Sequence, residues 1–324
     1  MRTRRSDPAT PGWRRRRRGG GFSYVDQKRR PLPAADVARI RALTIPPAWT
    51  DVWICPDPAG HIQAVGTDAA GRRQYRYHDV WRANRDRRKF GHVQEVAERL
   101  PRLRSKVRAH LRASELTRDR VLALAVAVLD EGRLRVGGDE YAVGDDATYG
   151  VASLLARHVR VGEREAVFRF PAKGGIEQEL TISRGTVVAA LRELRGWRRG
   201  ERRLFAWRDG GRVREAHSSD INAYLREQTD CDVTAKDIRT WHATVAAAVA
   251  LAGAPPARGV TARRRTVAAT MREVAEELGN TPTVARKSYV DPRVVDLYHE
   301  GVTITPSRSP LANERAVRDL LRED

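Results

Sequence analysis

Residues Leu116–Leu129 are apolar nearly all the way round a helical wheel. A helix of that kind has no face to give to water, so other elements must enclose it on every side. The cleanest apolar part, Val121–Leu129, is about half of the roughly 20 residues that a membrane-spanning helix needs. The stretch therefore predicts the central helix of a sizeable, mainly helical domain, and no membrane partner.

The elements around it follow from pattern and punctuation. Helical spacing predicts helices over His92–Leu100 and Leu103–Leu111, on either side of Pro101, and another over Tyr149–Leu155. Ala166–Phe170 and Ile176–Ile182 alternate and are joined by Pro171-Ala172-Lys173-Gly174-Gly175, a hairpin with Lys173 on its exposed tip. Ser183–Arg195 and Ile221–Gln228 read as helices, the second capped by His217-Ser218-Ser219-Asp220. Thr234 opens an alanine-rich helix to Leu251. Lys236 and Arg239, three apart at its start, share a face near the positive helix end. Gly253–Arg265 reads as a loop, and Asp291–His299 and Asn313–Arg322 as closing helices.

One short stretch is unusually punctuated. Gly279 ends the amphipathic pattern of Met271–Leu278, Thr281-Pro282 is a cap with a proline at the first helical position, and Asp291-Pro292 repeats that signal. A short helix therefore ends near Tyr289, with Arg286 and Lys287 about one turn before it. Most tyrosines in such a position are surface residues. The basic setting also lets this phenol meet an anion.

Ahead of the helical region the chain reads differently. Val52–Ile54 and His61–Val65 are strand-like and separated by a Pro56–Gly60 turn. A third run, Arg72–His78, puts Gln74, Arg76 and His78 on one face and Arg73, Tyr75 and Tyr77 on the other. Basic and aromatic groups interleaved on a strand suit phosphates and bases, although an ordinary sheet edge has the same pattern. Residues 1–21, which hold the run Arg14–Arg18, read by composition as a disordered basic arm, either a solubilising tail or a nucleic-acid contact. The expected organisation is an arm over 1–21, a β-rich DNA-binding domain over 22–91 and a mainly helical domain over 92–324, an α+β fold class.

The 324 residues carry a formal charge of +20, which points to a polyanionic partner, most simply nucleic acid. Two cysteines far apart, Cys55 and Cys231, make neither a disulfide framework nor a metal cluster, which points to the cytosol.

Arg135, Lys173, Lys236, Arg239, Asn280 and Tyr289, in that order, resemble the active site of type IB DNA topoisomerases, above all the small bacterial, poxvirus-like members. Four segments carry the resemblance: Leu129-Asp130-Glu131-Gly132 leading to Leu134-Arg135-Val136-Gly137; Phe168-Arg169-Phe170-Pro171-Ala172-Lys173; Thr234-Ala235-Lys236-Asp237-Ile238-Arg239-Thr240-Trp241; and Ser288-Tyr289-Val290-Asp291-Pro292. Each is short; their order and separations make them specific. Gly71–His78 also resembles the family's DNA-gripping strand, which carries over Gln74, Tyr75 and Tyr77, with Arg73 beside them and Lys236 as a further DNA contact.

The resemblance implies the shared topoisomerase IB and tyrosine recombinase catalytic fold, and a monomer clamping around double-stranded DNA in the nucleoid. It implies Tyr289 as nucleophile, Arg135 and Arg239 on the phosphoryl oxygens, Lys173 as acid and Asn280 as hydrogen-bond donor. Asn280 stands where viral and eukaryotic members carry histidine, and asparagine donates a hydrogen bond without carrying a proton through a reaction. Gly138 stands where many members have asparagine, so a backbone contact replaces a side-chain one there. No cofactor is expected: the chain has neither a GxxxxGK[ST] loop nor clustered carboxylates for paired Mg²⁺. A tyrosine recombinase would share the catalytic set but usually carries HxxR in place of Lys236–Arg239. A non-enzymatic DNA-binding protein would explain the charge but not the ordered motifs.

Overall fold

The computed structural model describes residues 2–322 apart from 145 and 201. Residue 1 of the expected arm and residues 323–324 of the expected helical domain lie outside the described residues. The chain divides into two compact units, Met1–Phe90 and Gly91–Asp324, taken separately below.

The first unit contains β1 (Trp13–Arg18), β2 (Gly21–Val25), α1 (Ala34–Ala42), β3 (Thr50–Ile54), β4 (Ile62–Thr67), β5 (Arg73–Tyr77) and the start of α2 (Asp79–Leu111). The five strands form one antiparallel sheet in the order β2-β1-β3-β4-β5. One face packs Val52, Ile54 and Ala64 against Ile40 of α1. The other gathers Trp53, Cys55 and Val65, and the segment before β1 lies on it. There Thr10 accepts the Trp53 indole N–H through its carbonyl at 2.9 Å, and a Cβ at Gly12 would come within 2.2 Å of that nitrogen.

The expectation of a disordered arm over residues 1–21 fails. Composition reads five arginines as solvated chain, but their alternation and the Gly19-Gly20 turn make a hairpin instead, with Arg18 paired to Gly21. Arg15 explains the cohesion. Its guanidinium donates to the carbonyls of Pro46 (3.0 Å) and Trp49 (2.5 Å) and lies 4.1 Å above the Phe22 ring.

The second unit holds the rest of α2, then α3 (Arg118–Gly132), β6 (Val159–Val161), β7 (Ala166–Ala172), β8 (Ile176–Ile182), α4 (Gly185–Trp197), β9 (Ala206–Asp209), β10 (Arg212–Glu215), α5 (Ser218–Thr229), α6 (Ala235–Gly253), α7 (Val260–Glu277), α8 (Pro282–Ser288), α9 (Pro292–Glu300) and α10 (Pro310–Leu321). As its sequence demands, α3 is buried along its whole length from Arg120 to Asp130.

The second unit departs from the sequence reading in four places. α2 runs straight through Pro101, because Arg318 Nη1 donates at 3.3 Å to the Ala97 carbonyl, the acceptor that a proline leaves without its helical donor. Tyr149–Leu155 is not a helix but carries a single 3-10 turn, Val151–Ser153, whose Val151 and Ala152 amides donate to the Arg135 and Val136 carbonyls. α7 begins at Val260, inside the expected loop, and the small β9–β10 ribbon had no counterpart in the sequence reading.

Candidate active site

α3 ends at Arg133, which turns the chain in the left-handed region (φ 50°). Beyond it, residues 134–138 have no regular secondary structure, and the Arg135 and Val136 carbonyls are held by the Val151 and Ala152 amides at 2.9 and 2.7 Å. Gly137 (φ +81°) crosses Gly150 so closely that a Cβ on Gly150 would stand 2.4 Å from the Gly137 nitrogen. Only two glycines permit that crossing, and it fixes the backbone that presents Arg135. The Arg135 side chain is half-buried, and its Nη2 donates to the Gly279 carbonyl at 2.9 Å and to Asn280 Oδ1. Burial lowers its pKa, against the opposing pull of Tyr289.

Arg239 comes from the first turns of α6. Thr234 and Asp237 cap that helix: the Thr234 amide donates to Asp237 Oδ2 at 2.9 Å. Lys236 remains exposed, whereas Arg239 is 4% exposed. The Arg239 guanidinium donates to the carbonyls of Arg133 and Leu278, at the ends of α3 and α7, where helix dipoles favour a cation. Burial and the nearby Arg135 charge push its pKa down to about 10, so it stays cationic at neutral pH. Its Cζ lies 5.5 Å from the centre of the Tyr289 ring.

Tyr289 is the residue after α8, and its amide donates to the Ala285 carbonyl at 3.0 Å. Thr244 of α6 reaches both sides of it. The Thr244 hydroxyl donates toward the Tyr289 carbonyl at 3.2 Å, shared with the Thr240 carbonyl at 3.0 Å, and accepts the Asp291 amide at 3.1 Å. The buried Asp291 carboxylate then caps α9 and pairs with Arg293 at 2.8 Å.

Arg135, Lys173, Lys236, Arg239 and Tyr289 line one cleft of about 440 Å³. Lys173 reaches it from the turn between β7 and β8, where Gly174 and Gly175 both have positive φ (85° and 72°). Asn280 is not among the lining residues but touches the cleft through Arg135. With Oδ1 held by that donor, its buried Nδ2 has no partner among the described residues. Two guanidinium groups beside one phenol, with an ammonium on a turn, can hold a phosphoryl group next to a nucleophile.

The sequence reading missed Thr148, Tyr149 and Ser218 in the lining, and Thr244 beneath the tyrosine. A threonine inside the alanine-rich run was the only signal for Thr244. For the lining residues there was none.

Arg73, Gln74, Tyr75 and Tyr77 belong to the first unit. Gln74 donates to Asp68 Oδ2 at 2.9 Å, on the face of β5 away from Arg73, Tyr75 and Tyr77. Tyr75 and Tyr77 stack with ring centres 6.0 Å apart, and Trp81 continues the stack at 4.5 Å.

A larger cavity in the second unit, about 640 Å³, is lined by Arg104, Asp130, His242 and Glu314 among others. These four are bonded to one another: Arg104 bonds Asp130 (2.7 Å) and Glu314 (2.8 Å), and His242 bonds Asp130 (2.8 Å). Burial alone would raise the Asp130 pKa, but the His242 and Arg104 hydrogen bonds and charges hold it well below the carboxylate range. The network braces the end of α3 from which Arg135 is presented, whereas Tyr289 lines the smaller cleft.

The family described as the eukaryotic DNA topoisomerase I catalytic core matches residues 78–303, and the bacterial DNA topoisomerase IB N-terminal domain matches residues 21–68. DNA topoisomerase 1B of Acanthamoeba polyphaga mimivirus is 29% identical over 285 residues, 86% of this chain and 84% of that protein. DNA topoisomerase I of monkeypox virus and DNA topoisomerase 1B of vaccinia virus (strain Copenhagen) are each 21% identical over 235 residues, 72% of this chain and 71% of theirs. The chain belongs to the type IB DNA topoisomerase family.

Proposed function

We propose that this protein relaxes supercoiled double-stranded DNA by cutting one strand through a 3′-phosphotyrosine and resealing it. The supporting observation is the cleft in which Tyr289 lies against Arg239 and beside Arg135, with Lys173 at its rim. The Tyr289 oxygen attacks the scissile phosphorus and its proton passes to water in the cleft. The bond from phosphorus to the 5′-oxygen breaks, and Lys173 gives that oxygen its proton. Arg135 and Arg239 neutralise the charge gathering on the non-bridging oxygens, a role that preorganised donors fill at no cost in rearrangement. The unpartnered Asn280 Nδ2 supplies one further donor to the same oxygens.

Attack by the 5′-hydroxyl reverses each step. The phosphotyrosine conserves the bond energy, so the cycle needs neither ATP nor a metal. The helical unit adopts the fold shared with tyrosine recombinases, and the protein works as a monomer that clamps the duplex. Lys236, exposed at the rim, takes a DNA phosphate, and Arg73, Gln74, Tyr75 and Tyr77 grip the duplex from the first unit. Relaxation of a negatively supercoiled plasmid in EDTA without nucleotide tests the reading. Wild type should relax it in a ladder of topoisomers; a protein that binds the plasmid yet leaves it supercoiled is a DNA-binding protein only.

A further inference from the structure

β1 carries five consecutive arginines, and the sheet sorts them. Arg15 turns toward the face covered by α1 and is tied to backbone carbonyls. Arg14, Arg16 and Arg18 point to the opposite face, are exposed, and have no acidic partner among the described residues. Side chains two apart on a strand stand about 6.6–6.8 Å from one another, on the scale of the step between successive phosphates of one DNA strand.

The strand register shows what shares that face. Arg14 is opposite Trp53, Trp53 opposite Val65, and Val65 opposite Tyr75. Cross-strand partners project to the same side, so Arg14, Arg16 and Arg18 share a sheet face with Arg73, Tyr75 and Tyr77. The middle of the face is closed, because Trp53 and Val65 are buried and Thr10 and Gly12 lie on Trp53. Two exposed rims remain, one arginine-lined on β1 and one arginine- and tyrosine-lined on β5. Three inter-strand steps put them about 14 Å apart, comparable with the roughly 12 Å width of the DNA major groove. The N-terminal family match begins at residue 21, in β2, so the arginine rim is outside it.

We propose that Arg14, Arg16 and Arg18 form a second phosphate-binding rim, gripping the backbone of the same duplex that meets β5. This rests on the DNA reading above. The rim is sequence-independent, since guanidinium–phosphate contacts position a duplex without reading it. Arg17 points to the other face with Arg15 and takes no part.

The test is the salt dependence of duplex binding by the full chain carrying Tyr289→Phe, so that binding is read without cleavage. Each phosphate contact contributes about 0.9 to the slope of log K against log salt. Arg16→Thr should lower the slope by about 0.9, and the triple Arg14→Thr, Arg16→Thr, Arg18→Thr by about 2.7. The matching triple change to lysine should keep the slope, because the charge remains. Arg17→Thr should leave it unchanged. Threonine keeps the strand propensity, and the lysine triple separates lost charge from a disturbed sheet. A slope unchanged in the threonine triple, or lowered as much by Arg17→Thr as by Arg16→Thr, overturns the rim while leaving the topoisomerase reading intact. Absence of plasmid relaxation and of salt-sensitive duplex binding in the wild-type chain would overturn both.

Discussion

Arg239 and Arg16 are the same residue type in opposite settings. Arg239 is buried, bonded to two helix-end carbonyls and aimed at one tyrosine. Arg16 stands in solvent on an open strand. A buried cation with fixed partners is already oriented for one charge, is barely screened by salt, and is costly to remove. An exposed one contributes through released counterions and is easily spared. The difference teaches that the +20 charge is not one property of this chain. Part of it is locked into the cleft, and part stands free in solvent.

That contrast breaks most sharply at the cleft. Tyr289→Phe should abolish relaxation and the covalent adduct while leaving duplex affinity within a few-fold; denaturing gel analysis of a labelled duplex reads this, and an adduct surviving in the variant moves the nucleophile elsewhere. Arg239→Ala should slow single-turnover cleavage by about 10³- to 10⁵-fold with the salt slope of binding almost unchanged. A large fall in slope instead would place Arg239 with the surface arginines.

Lys173 lies between the two kinds, exposed yet lining the cleft. Lys173→Ala should slow cleavage of ordinary DNA by about 10²- to 10⁴-fold. It should cleave DNA with a 5′-bridging sulfur at nearly the wild-type rate, because a thiolate leaves without a proton. Arg239→Ala should stay slow on that substrate. Failure of sulfur to rescue Lys173→Ala makes the lysine a counter-charge, and the acid must be sought at Arg135 or water.

The smallest effect concerns stability. The folded pKa of Asp130 is depressed, so its contribution is present above the unfolded value of about 3.9 and is lost as pH falls toward the folded one. Asp130→Asn should cost about 3–5 kcal/mol near neutral pH, the price of breaking a buried pair. Denaturant melts should show the gap between wild type and variant closing below about pH 4; a gap independent of pH would mean that the network matters for packing and not for charge.

The cleft residues were legible chiefly as an ordered family resemblance, and several of them also sit at punctuated places. Tyr289 lies between two Pro-marked helix starts, Lys173 on a Gly-Gly turn, and Arg239 one turn into a capped helix. Local chemistry marks such positions. What brings them together was not legible, since the Gly137–Gly150 crossing and the Thr244 hydroxyl are contacts between distant segments. The first strand was misread for a related reason. Composition averages over a run of arginines, whereas a strand separates odd from even, and the carbonyls that hold Arg15 come from residues some 30 positions away. Pro101 was read as a break because the arginine that takes up the freed carbonyl lies far along the chain.

The Thr244 hydroxyl has a mechanical consequence. On the proposed reading a cut strand hangs from Tyr289, and torsion in the DNA would become tension on that one residue. The short helix before it is only seven residues long and mostly exposed. Thr244 joins the Tyr289 carbonyl and the Asp291 amide to α6, so the load is carried sideways into a 19-residue, largely buried helix. That same helix bears Arg239. Strain drawn through such a tether would pull Tyr289 and Arg239 together as one body, which would keep the register that resealing needs.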